Sequence, residues 1–460
     1  MKAPLVIPFW LSCASALSLG EMEAHRFDKV IIIPDIHGDL EYLMYSIWLG
    51  ATKTNWPDMT YEVLEDILVN GSQVPPPMSS PDRVALVQLG DVANRGPGTK
   101  QCYSILFSLE EIFGWHVQSI FGNHELMALT KSDAKYVCPH DYKFFGGKTN
   151  REAEFSPDGK LWKSINSKYT LAARLGSGAT RTALDTLFIH GGVDMEWFSH
   201  IGTDTSSGID INELNQLVRR TMWKPEAAKE MLAQLHSPLW TRSFAELSGD
   251  ESWCSSKLDE ILEAFNVSRI VVGHTPLAGK RALTRCNGKI LLTDVQLSRW
   301  MQTRGQPVAV VMTVGTPSQL SSITAYYFDP SSGEQESHEL LQTVSVTEAP
   351  DSDPVTPQVN FPVPSLEMEE DITTTTTQQD HPEQDRASRV FKALKMFEKD
   401  SPASVPALSC CNAAGRTSDG HSRIGQRLFR RTSLGSLKDS DEDDPLFSKV
   451  PGPRNRGSSF

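Results

Sequence analysis

A chain of 460 residues, 39% hydrophobic and 22% charged, is long enough for one large domain with extensions or for two domains. Its formal charge of −13 argues against a nucleic-acid groove, because polyanion binding draws on clustered Lys and Arg that release counterions. Beyond the N-terminus no stretch is apolar for long enough to cross a bilayer.

The N-terminus carries Lys2 and then an apolar stretch from Leu5 to Leu19, with Ala14-Ser15-Ala16 as a small-residue cleavage site. This is the pattern of a secretory signal peptide over residues 1–20, and it implies a lumenal or secreted location. At about 15 mostly apolar residues, interrupted by Pro8, the stretch falls short of a membrane span. Cleavage would remove Cys13 and leave Cys102, Cys138, Cys254, Cys286, Cys410 and Cys411. An even number permits disulfides in an oxidising compartment; Cys254 with Cys286 is the preferred pair, and a buried free thiol is the alternative for each. Asn70-Gly71-Ser72 and Asn266-Val267-Ser268 match the glycosylation acceptor pattern.

Five apolar, largely β-branched runs read as buried strands: Lys29 to Ile33, Arg83 to Leu89, His116 to Phe121, Leu187 to Ile189 and Arg269 to Val272. In the same order come five short blocks: Pro34-Asp35-Ile36-His37-Gly38-Asp39, Gly90-Asp91-Val92-Ala93-Asn94-Arg95-Gly96, Gly122-Asn123-His124-Glu125, His190-Gly191-Gly192 and Gly273-His274-Thr275. Side chains at the carboxyl ends of strands fit the general location of sites on α/β sheets. Helical spacing from Leu40 to Leu49 and from Cys102 to Phe113 gives strand, loop and helix twice in succession. The spacing also predicts a short helix over Tyr61 to Val69, and another over Asp210 to Trp223 that Pro225 interrupts.

The aromatic and charged stretch from His140 to Lys168 reads as an insertion that shapes access to a site at the strand ends. From about Val346 the composition turns to Pro, Thr, Ser and acid, which cannot bury enough apolar surface to offset chain entropy, so residues 346–460 read as a disordered tail. Arg389 to Lys399 has the spacing of a transient amphipathic helix, and Arg430-Arg431-Thr432-Ser433 resembles a basophilic kinase target of the kind common in such tails.

Carboxylates, imidazoles and an amide oxygen suit manganese, iron or zinc, and the blocks contain no thiolate. Asp35 and His37 can reach one ion, Asp91 can sit between two, and Asn123, His190 and His274 can complete the second. Two ions about 3.5–4 Å apart would polarise a phosphoryl group and hold a bridging water acidic enough to attack phosphorus as hydroxide, with no covalent enzyme intermediate. Arg95 can bind phosphate oxygens, and His124 is placed to protonate the departing oxygen. Each residue alone has a bland reading as a turn or surface residue, and the ordered set is what carries the inference.

These blocks resemble the phosphoprotein phosphatase family of calcineurin-like metallophosphoesterases, whose motifs are Gly-Asp-x-His-Gly, Gly-Asp-x-x-Asp-Arg-Gly, Gly-Asn-His-Glu and His-Gly-Gly. The resemblance spans Phe27 to Tyr327. Gly273 to Pro276 and the segment from Leu292-Thr293-Asp294 to Trp300-Met301 look most like the Shewanella-like branch. It implies an α/β sandwich of mixed sheets flanked by helices over residues 25–345 and hydrolysis of protein phosphoesters. It also implies two divalent metals, one held by Asp35, His37 and Asp91 and the other by Asp91, Asn123, His190 and His274. Arg95 would bind phosphate, His124 would act as the acid, and Arg242 in Pro238-Leu239-Trp240-Thr241-Arg242 is a looser match to a second phosphate arginine, with a surface arginine as its alternative. Pro34 replaces the first motif glycine, and Asn94 stands where the family has the aspartate that pairs with the acid histidine. That second departure leaves three readings: a phosphoprotein phosphatase, a hydrolase of dinucleoside polyphosphates or other small phosphoesters, and a phosphate-binding scaffold weakened in turnover.

Overall fold

Val30 to Ile33 are all fully buried, as a run of β-branched residues with two covered faces requires. They belong to β2 (Lys29–Ile33), which pairs in parallel with β3 (Val84–Gln88), as β3 does with β4 (His116–Ile120) and β4 with β5 (Tyr169–Thr170). On its other side β2 meets β11 (Val308–Val314) antiparallel, followed by β12 (Leu320–Asp329) and β13 (Glu334–Gln342), which completes a seven-stranded mixed sheet. The second sheet has six strands in the order β1 (Glu21–Glu23), β6 (Ala172–Gly176), β7 (Thr186–Ile189), β8 (Arg269–Val272), β10 (Ile290–Leu292) and β9 (Leu283–Arg285). It too mixes parallel and antiparallel pairs.

The computed structural model describes residues 19–78, 81–176, 181–203, 208–247, 250–301, 305–315 and 320–342. The expected signal peptide before Leu19, Cys410, Cys411, the segment Arg389 to Lys399, the basic string at Arg430 and the 346–460 tail lie outside the described residues. Among the described residues no helix is long and apolar enough to cross a membrane.

Two helices follow their strands as the periodicity predicts, α1 (Leu40–Thr52) after β2 and α3 (Thr99–Phe113) after β3. Asp39 starts α1 by accepting a hydrogen bond from Tyr42 N. The helix expected over Tyr61 to Val69 is present in two parts: α2 (Tyr61–Glu65) widens into a π turn over Asp66–Asn70 that Gly71 closes in the left-handed region. Four short helices fill the stretch from Asn123 to Lys168: α4 (Asn123–Leu129), α5 (Pro139–Phe144), α6 (Lys148–Glu154) and α7 (Lys160–Lys168).

Then come α8 (Met195–His200), α9 (Ile211–Thr221) and α10 (Pro225–Leu232). Pro225 opens α10 instead of merely interrupting a helix, because the first turn has no use for the N–H it lacks. Three more helices, α11 (Ser243–Leu247), α12 (Glu251–Cys254) and α13 (Lys257–Ala264), precede β8. A disulfide joins Cys254 at the end of α12 to Cys286 in the turn between β9 and β10, the pair preferred from the sequence, while Cys102 and Cys138 are buried thiols.

Candidate active site

The loops leaving β2, β3, β4, β7 and β8 converge and bring together Asp35, His37, Asp91, Asn123, His190 and His274, all of them buried. The fit is tight enough to bend the backbone out of its usual range. His37, Asp91, Asn94, Arg95 and His274 have φ of 48°, 54°, 73°, 64° and 61°, a region that residues with a side chain enter at a cost and that collects at functional sites. Glycines permit close approaches of the backbone here. Gly38 has a φ of 63° and faces Gly96, whose carbonyl oxygen would lie 2.6 Å from any added Cβ; a Cβ on Gly122 would lie 2.2 Å from Asp91 Oδ1. Glu125 ties the third loop to the second, its carboxyl oxygens accepting from the backbone N of Asp91, Val92, Ala93 and Gly122 and from the Tyr103 hydroxyl.

The hydrogen bonds around the histidines decide which ring nitrogens face inward. His37 Nδ1 lies 3.4 Å from the Ala93 carbonyl, His190 Nδ1 2.7 Å from that of Leu89, and His274 Nε2 3.2 Å from that of Trp240. A carbonyl only accepts, so each of these nitrogens carries the proton and the opposite one is a bare lone pair. Those lone pairs gather on Asp91. His37 Nε2 is 3.9 Å from Asp91 Oδ2, and His190 Nε2 is 3.5 Å from Oδ1.

One Asn123 amide atom occupies the middle of this group. It lies 3.1 Å from His190 Nε2, 3.2 Å from His274 Nδ1, and 3.0 and 3.3 Å from the two Asp91 oxygens. With the amide oxygen there, five lone-pair atoms face one another with no donor among them; the amide NH2 in its place would satisfy them, and so would a cation. Among the described residues two groups of ligand atoms lie within 4.8 Å of one another, His37, Asp91 and His124, and Asp91, His190 and His274. They share Asp91, so the residues present fit two adjacent cations with Asp91 common to both.

Electrostatics point the same way. Burial pushes the Asp35 and Asp91 carboxyls well above the usual range, and carboxylate neighbours add to it: Asp294 and Asp91 act on Asp35, Glu125 on Asp91. Burial also holds His37, His124 and His274 well below the ordinary imidazole value, and takes His190 down to about 3. Neutral imidazoles and crowded carboxylates are the state that positive ions stabilise.

The remaining sequence-predicted residues border this cluster. Arg95 donates its backbone N to the Tyr136 carbonyl at 2.7 Å and lays its guanidinium over the Tyr136 ring at 5.2 Å, yet its buried Nε has no hydrogen-bond partner. Arg242, the loosest match in the sequence, belongs here too, since its Nη1 donates to the His274 carbonyl at 3.2 Å. His124 donates its backbone N to Asp91 Oδ1 at 2.8 Å and holds Nε2 3.9 Å from Asp91 Oδ2. Asn94, fully buried, sets its Nδ2 2.9 Å from His124 Nδ1.

Sequence reasoning gave no role to Asp294, Tyr136 or Arg151. Asp294 is buried, pushed up to about 6 by desolvation and restrained first by the Gln296 N–H whose hydrogen bond it accepts and then by the positive charges of Arg242 and Arg95. It follows the apolar strand β10 as Asp91 follows β3, and that shared position was its available signal. Tyr136 and Arg151 lie in the stretch between the third and fourth blocks, where no local pattern sets them apart.

A model of the calcineurin-like phosphoesterase family matches residues 28–278. An uncharacterised protein of Schizosaccharomyces pombe is 27% identical over 300 residues, which cover 61% of this chain and 82% of that protein. Shewanella-like protein phosphatase 1 of Plasmodium berghei, from the branch that the sequence resembles, is 26% identical over 296 residues, covering 61% of this chain and 69% of the relative. Among solved structures, the cold-active protein tyrosine phosphatase of a psychrophilic Shewanella aligns with a TM-score of 0.47 at 20% identity, covering 69% of this chain and 82% of that one.

Proposed function

The chain belongs to the calcineurin-like phosphoesterase family, and from that premise we propose that it is a two-cation phosphatase that removes phosphate from phosphoserine, phosphothreonine or phosphotyrosine in proteins. Asp35, His37 and Asp91 would hold one divalent cation, and Asp91, Asn123, His190 and His274 the other. Manganese, iron or zinc suits this set of carboxylates, imidazoles and one amide. When bound, such ions would polarise phosphoryl oxygens and make a nearby water more acidic. The observation that carries the reading is the two groups of ligand atoms, His37, Asp91 and His124, and Asp91, His190 and His274, that meet at the shared Asp91.

The chain's own residues do the rest. Arg95 binds the phosphoryl oxygens through the fork whose Nε is left without a partner, and Arg242 adds a second positive charge beside His274. Tyr136 holds Arg95 from its backbone carbonyl and its ring, so the guanidinium is set in place before substrate arrives. His124 turns Nε2 toward the same space and meets the departing ester oxygen, with Asn94 orienting the ring from behind. The name of the Plasmodium relative, a protein phosphatase, supports phosphoproteins as the substrate class.

Metal-stripped protein reconstituted separately with each of the three cations, then assayed on phosphopeptides of all three types and on dinucleoside polyphosphates, tests the assignment. Phosphate release from a phosphopeptide only when cation is present is the expected result. Turnover of dinucleoside polyphosphates alone would move the function to small phosphoesters, and cation binding without hydrolysis would make the chain a phosphate-binding scaffold.

We also propose a lumenal or secreted location, which the N-terminal apolar stretch and the Cys254–Cys286 disulfide support. Mature protein should begin beyond Ala16, and one that still begins at Met1 rules out cleavage.

A further inference from the structure

Asn94 stands where the family pattern has aspartate, and a buried cation lies directly behind it. Arg151, 1% exposed, donates Nη2 to Asn94 Oδ1 at 2.6 Å, Nη1 to Asp133 Oδ2 at 2.7 Å and Nε to Asp141 Oδ2 at 2.9 Å. Phe155 packs its ring 4.8 Å from the guanidinium, which fixes the remaining face. A guanidinium has no acceptor, so the Asn94 atom it meets must be the amide oxygen. The other end of that amide is then the NH2 group, 2.9 Å from His124 Nδ1. An NH2 group only donates to a ring nitrogen, so Nδ1 accepts and the ring proton sits on Nε2.

This is the reverse of what His37, His190 and His274 do, each of which turns a bare nitrogen toward the cluster. His124 presents an N–H, which suits a hydrogen bond to an oxygen and not a bond to a cation, although its Nε2 lies within reach of the group formed by His37 and Asp91.

We propose that Arg151, braced by Asp133 and Asp141, is a positioning residue that sets the direction of the Asn94–His124 hydrogen bond, so that His124 meets the departing oxygen as a neutral hydrogen-bond donor and not as a proton donor. The inference rests on the phosphatase reading given above. In the step it describes, the oxygen of the attacking water bonds to phosphorus as the bond from phosphorus to the ester oxygen breaks. The ester oxygen keeps the electron pair of that bond and accepts the hydrogen bond from His124 Nε2. It then takes its proton from solvent water, while the proton of the attacking water leaves to solvent. His124 ends the step as it began, neutral, with Nε2 protonated. Rates then depend steeply on the basicity of the leaving oxygen, because no full proton transfer relieves its charge.

Nitrogen NMR on metal-free protein with labelled histidine reads the hydrogen-bond direction without any turnover. The His124 signals, assigned by their loss in His124→Asn, should show Nδ1 unprotonated and Nε2 protonated. Asn94→Asp replaces the donating NH2 by an acceptor, so the Nδ1 signal should move to the protonated position. With cations restored, the ratio of rates on 4-nitrophenyl and phenyl phosphate should narrow in Asn94→Asp by at least about tenfold, since acid catalysis typically contributes more than that. Arg151→Lys keeps the charge and loses the fork, and should give a mixture of both His124 tautomers; if it does not fold, Asp133→Asn, which removes one brace of the same guanidinium, should give that mixture, and a folded variant that keeps the wild-type tautomer alone overturns the role of Arg151. Protonated Nδ1 in the wild type, or an unchanged Nδ1 signal or rate ratio in Asn94→Asp, overturns the proposal. A chain that shows the expected spectra and hydrolyses no phosphate ester would overturn the phosphatase reading and support the hydrogen-bond direction on its own.

Discussion

Main-chain carbonyls hold three of the site histidines, and a side-chain amide holds the fourth; that difference separates the bare nitrogens proposed to face cations from the N–H proposed to face substrate. The amide's direction depends in turn on Arg151, and one of its two carboxylate partners, Asp141, carries its own signature. Burial pushes Asp141 up to about 6, against the opposing pull of Arg151, so its ionised form is disfavoured in the folded chain. Because the folded value lies above the unfolded one, the stability it contributes is complete below about pH 4 and is lost as pH rises through about 6. Asp141→Asn has no such loss. Thermal melts of the metal-free proteins should therefore show the variant at a larger disadvantage at pH 4 than at pH 7. A disadvantage that grows over that range would contradict the assignment.

At the scale of elements, the site is a set of strand-to-helix loops locked to each other by short contacts. Glu125, in the first turn of α4, accepts from three consecutive backbone N–H groups of the loop after β3, so α4 and that loop move as one piece. Gly122 lies against the same loop, and a methyl group there would collide with Asp91 Oδ1 at 2.2 Å and Asp91 N at 2.4 Å. Gly122→Ala should lower cation content and cut the phosphatase rate by about 10²-fold, the order that a misplacement near 1 Å costs. A variant with unchanged rate would mean that Asp91 is not held where the geometry has it. Much of this arrangement could be read from the chain, because β2, β3, β7 and β8 are largely buried, mostly apolar runs that each lead into a block of candidate ligands, whereas β4 mixes His116, Gln118 and Ser119 with its apolar residues and is marked chiefly by the Gly122-Asn123-His124-Glu125 block after it. By contrast, β12 alternates buried and more exposed residues and β13 at the sheet edge is mostly polar, so neither stands out as an apolar run. Arg151 was hidden for another reason. It acts on Asn94 across 57 residues, and no spacing rule announces a contact made by folding an insertion back on the site.

For the molecule as a whole, two mixed sheets carry the proposed ligands on their connecting loops, and the Cys254–Cys286 disulfide ties α12 to the β9–β10 turn over a separation of 32 residues. A closed loop of that length is worth about 4 kcal/mol by the chain-entropy estimate, which corresponds to roughly 5–6 °C in a domain of about 320 residues. The Cys254→Ser, Cys286→Ser double variant should melt lower by that amount while keeping its cation content, since none of the proposed ligands lies on the tied segments. No change in melting would remove the disulfide from the account of stability. The most direct test of the central claim is cation content and phosphate release measured side by side on wild type and Asp91→Asn. The account predicts two cations per wild-type chain, and in the variant a loss of bound cation together with a fall in rate of about 10²-fold or more. An Asp91→Asn protein that keeps both cations and its full rate would contradict it.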